Sequence, residues 1–522
     1  MARKYLILVT VCLGTVLTAY VSSCVNIALP NIMAALNFNL DSVVWVSLSY
    51  MLPYGALLPL TGRLGDQFGA KRLYILGLVI FTIASFLCGT AASSVFMITS
   101  RIIQGIGACM ILPNAMSIVA ATFSPQERGQ ALGIWGAMAA AGSSLGPTIG
   151  GYLIDHFKWQ SIFFSILPLS FVGLSMALFL IPAAKTGSKT KIDYVGAFFL
   201  TTFLTLLLLA LNRGQKEGWD SLYITVLFYL SFFCFVCFIL AEQYVKHPVV
   251  NLSLFTNAGF TIANILNFIG YMAFYCGMFL LPFFLKNLLN YSPVQAGIEL
   301  LPLTIAVIIF APIGGKLSDR LGAKIPTFLG MMIIVIALYM FSFISPQYSH
   351  KDFFVRLLIL GIGLGLTTSP LSNSAISVLS KDQVGVGSGV FNLFKNIGSC
   401  IGVVFSETLL TNREIFHKQN LSEYLTPLTH ASDEIFKLLQ TLWGAQGMSA
   451  KKIAEATLGI FTGNGFTRPE QYVAFKSILS KLVTRNAVVL SFQDVFFAMS
   501  VIALCLGFLS LLLRSKPKQN HL

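Results

Sequence analysis

Fourteen apolar runs, each long enough to cross a lipid bilayer, dominate this chain of 522 residues. A hydrocarbon core about 30 Å thick takes roughly 20 residues of α-helix at about 1.5 Å each. The runs lie near 5–30, 43–62, 73–92, 95–118, 129–153, 161–182, 193–212, 221–241, 258–285, 292–314, 325–345, 353–379, 384–411 and 491–513. Lipid offers no partner for a backbone N–H or C=O, so such runs span as helices and the fold class is an all-α polytopic membrane protein. With 56% hydrophobic and only 10% charged residues, the soluble and disordered classes are excluded, since a soluble domain carries about 25% charge.

An even number of runs places both termini on one side. Arg3, Lys4, Arg63, Lys71, Arg72, Arg128, Lys185, Lys189, Lys191, Lys246, Lys316, Arg320, Lys324, Lys381, Arg514, Lys516 and Lys518 fall on that side, seventeen in all. The short loops opposite hold five: Lys158, Arg213, Lys216, Lys286 and Lys351. The positive-inside rule then predicts cytoplasmic termini and a multi-pass location in the cell (inner) membrane. The long loop 412–490 carries nine more, but long loops translocate regardless of charge. The first run is too long for a cleaved signal, and its removal would break the parity. Because the net charge of +14 is scattered in twos and threes, it forms no basic face, and nucleic acid is not an expected partner. The nine cysteines lie in apolar runs and read as small core hydrophobes.

An internal repeat organises the runs. Gly62-Arg-Leu-Gly-Asp66-Gln-Phe-Gly69-Ala-Lys71 recurs as Gly315-Lys-Leu-Ser-Asp319-Arg-Leu-Gly322-Ala-Lys324, offset by 253 residues. The copies follow the second and tenth runs on the same side, so the two halves run parallel. Eight runs rather than six separate them, which implies an inserted pair and a 6 + 2 + 6 plan. The predicted domains are residues 1–182, a six-helix bundle; 183–257, a linker with the inserted helices; and 258–522, a second six-helix bundle with outer loop 412–490.

The ordered motifs resemble those of the major facilitator superfamily, in its fourteen-span drug:proton antiporter branch of the EmrB/QacA type, over nearly the whole chain. The segment from Gly62 to Arg72 is similar to the superfamily's loop signature, and Arg101-Ile-Ile-Gln104-Gly105-Ile-Gly107 to its fourth-helix signature. Gly133, Gly142, Gly146-Pro147 and Gly150-Gly151 resemble the exporters' fifth-helix pattern. Asn26-Ile-Ala-Leu-Pro30, Trp45 with Tyr50, Trp219, Ser292-Pro-Val-Gln-Ala-Gly297 and Phe391-Asn-Leu-Phe-Lys-Asn-Ile-Gly398 resemble patterns of the branch. The resemblance implies a proton-coupled exporter of amphipathic compounds working by alternating access.

Asp66 and Asp319, with Lys71, Arg72, Arg320 and Lys324 nearby, can latch neighbouring helices through charged hydrogen bonds, whereas the basic residues alone would also satisfy topology. Gly62, Gly65 and Gly69 let the backbone turn, and Gly315 and Gly322 hold the equivalent places in the second copy. The resemblance makes this a cytoplasmic gate. Gly142, Gly146 and Gly150 recur every fourth residue and admit another helix at backbone distance. Pro147 adds a bend. The exporter pattern implies that this helix rocks against one of the opposite half.

Arg101 lies inside the fourth run, where a permanent charge needs a cavity, a polar partner or a snorkelling path. The resemblance adds a role in proton coupling. Relatives carry an acid five positions before the Asn26 motif, where this chain has Val21, and Trp-Arg-Trp-Ile-Phe reads Trp159-Gln-Ser-Ile-Phe163 here. Glu299, roughly 9 Å inside the tenth run, is the substitute titrating group, coupled to Arg101, or else a vestibule carboxylate; Glu407 is a weaker candidate. Lys395 sits too deep to be incidental and points to the central cavity. With Arg101 and no acid in the first run, it implies anionic or neutral amphipathic cargo. Candidate cavity residues are Asn26, Tyr50, Tyr54, Gln104, Tyr271, Tyr275, Phe391, Asn392 and Lys395.

Gly361-x-Gly-x-Gly365 and Gly385-x-Gly-x-Gly389 follow no strand and read as tight helix packing. There is no Walker loop and no histidine ligand spacing, so no cofactor, metal or enzymatic role is expected. Stretches 434–442 and 473–482 of the outer loop are amphipathic enough to lie on the membrane surface or on a partner. Expected partners are a small amphipathic molecule, protons and the lipid bilayer, with a periplasmic adaptor protein in a Gram-negative host. An uncoupled facilitator or importer of a small metabolite, and a non-transporting receptor or scaffold, are the alternatives.

Overall fold

The computed structural model describes residues 2–38, 40–182, 193–245, 248–250, 252–289, 291, 293–380, 383–425 and 468–513. Among them the regular structure is helical. The helices are α1 (Ala2–Ala35), α2 (Leu40–Ala56), α3 (Leu58–Phe68), α4 (Ala70–Gly89), α5 (Ser94–Thr122), α6 (Arg128–Phe157), α7 (Ser161–Phe164), α8 (Ile166–Leu180), α9 (Tyr194–Glu217) and α10 (Leu222–Tyr244). They continue as α11 (Ala258–Asn287), α12 (Pro293–Glu299), α13 (Leu301–Leu321), α14 (Lys324–Phe341), α15 (His350–Ser377), α16 (Val384–Leu425) and α17 (Arg468–Ser510).

Twelve helices are long and apolar enough to cross a membrane, thirteen when the bent pair α2 and α3 counts as one span. That is fewer than the fourteen spans expected. The fifth run forms the 30-residue helix α6 but is not among them, because glycine, alanine and serine take the place of bulkier apolar residues along much of its length. The 49° bend between α2 and α3 falls at Pro59, which lacks the N–H that would bond the Gly55 carbonyl. Proline at the start of α13 breaks the tenth run at Leu300 in the same way.

The expected outer loop also differs. The thirteenth run continues to Leu425, making α16 42 residues long, or about 63 Å. The last helix begins at Arg468, so 473–482 belongs to α17 rather than forming a separate surface helix. His417 and Arg413 on α16 both reach Asp494 of α17, at 2.8 and 3.5 Å. Stretch 434–442 lies outside the described residues.

Burial separates central from peripheral helices. In its most apolar window α5 is 61% buried inside the protein and α10 only 28%. Phe232, Phe233 and Tyr229 of α10 stand exposed, as lipid-facing aromatics do. Helix α9 packs on α10 and also leans on α2 and α16. The N-terminal and C-terminal parts meet along two seams, α3 against α16 and α6 against α13.

Candidate functional site

The two seams repeat one geometry. At the first, the Asp66 carboxylate accepts the Gly385 and Val386 N–H groups at 2.7 and 2.8 Å. At the second, Asp319 accepts the Gly129 and Gln130 N–H groups at 2.9 and 3.0 Å. Each aspartate thus caps the free N-terminus of a helix in the other part of the chain, where orphan N–H groups and the helix dipole favour an anion. Asn373 Nδ2 donates to Asp319 at 3.2 Å, and the Ser369 hydroxyl donates to the Gly129 carbonyl at 2.6 Å.

Glycines make the approach possible. A Cβ on Gly62 would fall on the Gly385 carbonyl, and one on Gly315 on the Gly129 carbonyl. Gly389 meets Leu58 and Gly133 meets Ala311 in the same fashion, the partners again standing 253 residues apart. Gly62 and Gly65 are inside α3 and serve close packing rather than turning, which corrects the sequence expectation. The turn is made by Gly69 at φ +96° and Gly322 at φ +82°, values that disfavour a side chain. Lys71 donates to the Leu178 carbonyl at the end of α8 at 2.9 Å. Arg72 and Arg320 are exposed, and Lys324 begins α14.

The stripe Gly142, Gly146 and Gly150 of α6 packs on α1 within the same part of the chain, at Val16, Ser23 and Cys24. The contact of α6 across to the other part is made instead by Gly129 and Gly133, one turn from its start. This corrects the expectation that the stripe itself faces the opposite half. The Cys24 thiol donates to the Gly146 carbonyl at 2.9 Å, and the Trp135 indole N–H to the Thr15 hydroxyl at 2.7 Å. Gly151 is buried on the same helix; the side chain of Pro147 lies outside the described residues.

Between the two parts the structure gathers five of the predicted cavity residues. Tyr50 and Tyr54 of α2 stack with ring centroids 5.8 Å apart and planes within 6°. Tyr54 interacts electrostatically with Tyr271 and Tyr275 of α11, whose rings are 6.4 Å apart. The Lys395 ammonium of α16 lies 4.6 Å from the Tyr271 ring centroid, a cation–π distance. No described carboxylate forms an ion pair with Lys395. Phe391 and Asn392 are buried one turn before it, and the Asn392 amide reaches Met116 Sδ of α5 at 3.8 Å.

Of the remaining predicted residues, Arg101 meets this group only through Tyr50, and the rest lie apart from it. Arg101 is 1% exposed, which removes the snorkelling reading. Its Nε donates to the Val46 carbonyl at 2.9 Å and its Nη1 to Gln104 Oε1 at 2.6 Å, while its guanidinium lies 4.3 Å from the Tyr50 centroid. Gln104 Nε2 donates to Ser85 at 2.8 Å, so the group ties α5 to α2 and α4. Asn26 is exposed and accepts the Ser47 hydroxyl at 2.9 Å. Glu299 pairs with His350 at the start of α15 and borders an open cavity of about 410 Å³ with Leu289, Tyr291, Gln295 and Ile298. Arg101 and Glu299 therefore have separate partners. Val21 is buried in the apolar core, and Glu407 is half-buried.

Residues 11–403 match the family described as the Major Facilitator Superfamily. The chain belongs to the major facilitator superfamily. It is 32% identical over 447 residues to the riboflavin transporter RibZ of Clostridioides difficile (strain 630), covering 85% of this chain and 94% of that protein. It is 31% identical to the methylenomycin A resistance protein of Bacillus subtilis (strain 168), over 77% of this chain and 87% of that one. The multidrug resistance protein Stp of Mycobacterium tuberculosis (strain CDC 1551 / Oshkosh) is 30% identical, over 72% and 70%. A crystal structure of the human organic anion transporter MFSD10 (TETRAN) shares the fold at TM-score 0.60 and 14% identity, covering 97% of this chain and 99% of that chain.

As a major facilitator the chain is a multi-pass membrane transporter of small molecules. The partners of its two repeat aspartates are not evident from the repeat itself. A weak signal exists: Gly129 with Gly133 and Gly385 with Gly389 are glycine pairs four residues apart, offset from each other by 256 residues, close to the 253 of the repeat.

Proposed function

We propose that the chain is a fourteen-span exporter that moves amphipathic small molecules outwards in exchange for protons. Two six-helix units, 1–182 and 258–522, rock about the tyrosine-lined space between them, with the helices of 183–257 as an inserted pair. The paired caps Asp66 on α16 and Asp319 on α6 carry this reading. Each is a charged, reversible clamp joining opposite units at one rim, so breaking both frees that rim to open. The charge bias places the rim and both termini in the cytoplasm. Resistance proteins among the relatives support export, and the 30-residue α6, long enough to cross a bilayer, supplies the remaining crossing.

Lys395 defines the cargo. A buried ammonium among tyrosine rings and without a described carboxylate favours planar aromatic molecules of neutral or negative charge. Arg101 contributes by holding α2, α4 and α5 in register, and the Glu299–His350 pair borders the open cavity at the outer rim. Expression in a cell with a trans-membrane pH gradient tests the reading. Accumulation of fluorescein should fall relative to an empty-vector control and recover when the gradient is collapsed. Accumulation above the control would mean import; indifference to the gradient would remove proton coupling.

A further inference from the structure

The inserted helices end side by side, and each brings one buried acid to that end. Asp193 is the N-cap of α9, its Oδ1 accepting the Val195 and Gly196 N–H groups at 3.0 and 2.8 Å. Glu242 lies in the last turn of α10, its Oε1 accepting the Val249 and Val250 N–H groups at 3.1 and 3.2 Å. The two residues are 7% and 6% exposed. Their second oxygens, Asp193 Oδ2 and Glu242 Oε2, are buried and have no hydrogen-bond partner among the described residues.

The two carboxyls are neighbours. A Cβ on Gly196 would run into Asp193 Oδ2 and stand 3.2 Å from Glu242 Oε1, and the two acids act on each other electrostatically. Arg63 of α3 acts on Glu242 electrostatically. It is the residue after Gly62 in the first repeat loop and three positions before Asp66, on the same helix face. Lys191, Lys246 and His247 adjoin the acids in sequence and lie outside the described residues.

Two ionised carboxylates in one poorly solvated site repel, and each leaves a buried acceptor unmatched. One proton relieves both costs. It neutralises one acid and turns an orphan oxygen from an acceptor into a donor. We propose that Asp193 and Glu242 share a single exchangeable proton, making the inserted pair a proton-binding element of the inner rim that communicates with the Asp66 clamp through Arg63. With the proton bound, one negative charge faces Arg63; after its release to water at the rim, two do, and the pull on the repeat loop increases. This deepens the antiport reading and rests on it.

The test uses the full chain. Infrared difference spectra of the purified protein across a pH series should show a protonated-carboxyl stretch that titrates in the wild type. It should be lost in Glu242→Gln and in Asp193→Asn alike, because the amide takes the place of the protonated partner. Using two variants guards against one failing to fold. Persistence of the band in both, or its replacement by a sodium-dependent change at fixed pH, overturns the proposal. In proteoliposomes with a trapped pH dye and a fluorescein gradient, the variants should lose proton movement while retaining fluorescein counterflow. Undiminished proton movement in both variants also overturns it. A wild type that carries fluorescein without protons, yet shows the variant-sensitive band, retains the proton site and defeats the antiport reading instead.

Discussion

The Asp66 carboxylate takes the Gly385 N–H at 2.7 Å and so joins residues 319 positions apart. Its repeat copy Asp319 takes the Gly129 N–H at 2.9 Å in the reverse direction, from the C-terminal part to the N-terminal part. A clamp built twice from one motif holds the two parts evenly, and either half of it can be removed alone.

Replacing Asp66 or Asp319 by asparagine keeps an oxygen in place but removes the charge. A hydrogen bond to a charged group contributes about 1.5–3 kcal/mol net, so each substitution should shift the closed-to-open balance of this rim roughly ten- to a hundredfold. Spin-label distances between α3 and α16, and between α6 and α13, are the measurement. An unchanged distribution in both variants means that the aspartates do not hold the rim.

Alanine at Gly62 or Gly315 drives a Cβ into the Gly385 or Gly129 carbonyl. Both variants should lose most transport, and to a similar extent. Gly136 of α6 has nothing within 4 Å of its would-be Cβ. Gly136→Ala should therefore leave transport intact and stabilise the helix by about 0.5–1 kcal/mol. A Gly136→Ala variant as impaired as Gly62→Ala would show that helix flexibility, not close approach, is what these glycines supply.

Arg101→Ala takes the charged donor from Gln104 Oε1 in a dry site and should cost about 1–3 kcal/mol for that unmatched group. Arg101→Lys should recover only part of this, since one ammonium does not reproduce the guanidinium's fork. Thermal unfolding in detergent is the readout. Equal stability of Arg101→Lys and wild type would contradict the anchoring role.

Lys395→Gln removes the cation from the tyrosine-lined space. Fluorescein counterflow should require at least about tenfold more substrate, a loss of about 1.4 kcal/mol, whereas ethidium, a planar cation, should be unaffected or better carried. Equal losses for both dyes would point to a structural role for the lysine.

The Lys4 ammonium bonds Glu127 at 2.7 Å and lowers that exposed carboxyl's pKa chiefly through this hydrogen bond. A depressed pKa adds stability above the ordinary carboxylate range and loses it as pH falls through the lowered value. The small difference in unfolding midpoint between wild type and Glu127→Gln should accordingly be present at neutral pH and vanish in acid. A difference that grows with acidity contradicts the pairing.

Much of the fold was legible from the runs, the loop charges and the repeat. The fifth run shows where that reading thins: its glycines and alanines, which let α1 and α13 approach α6, are also what make it weakly apolar. The Gly142–Gly146–Gly150 stripe was readable as a packing face but not its partner. Spacing of four marks a shared helix face, and any helix fits against it; the Val16 backbone and the side chains of Ala19, Ser23 and Cys24 decide for α1. Glu299 was legible as a carboxylate within an apolar run, and its pairing with His350 at an open cavity was not, because the two are 51 positions apart.

The sequence by itself determined that the chain spans a membrane as helices, which side its basic loops favour, and that one motif occurs twice. These follow from run length and charge order, quantities defined along a single strand of residues. Only the tertiary structure decided that each repeat aspartate caps a helix in the other part, that Arg101 is an internal anchor, and that Tyr50, Tyr54, Tyr271, Tyr275 and Lys395 form one cluster. Those relations depend on which helix faces are brought together across hundreds of residues, and periodicity within a helix carries no record of the face it will meet.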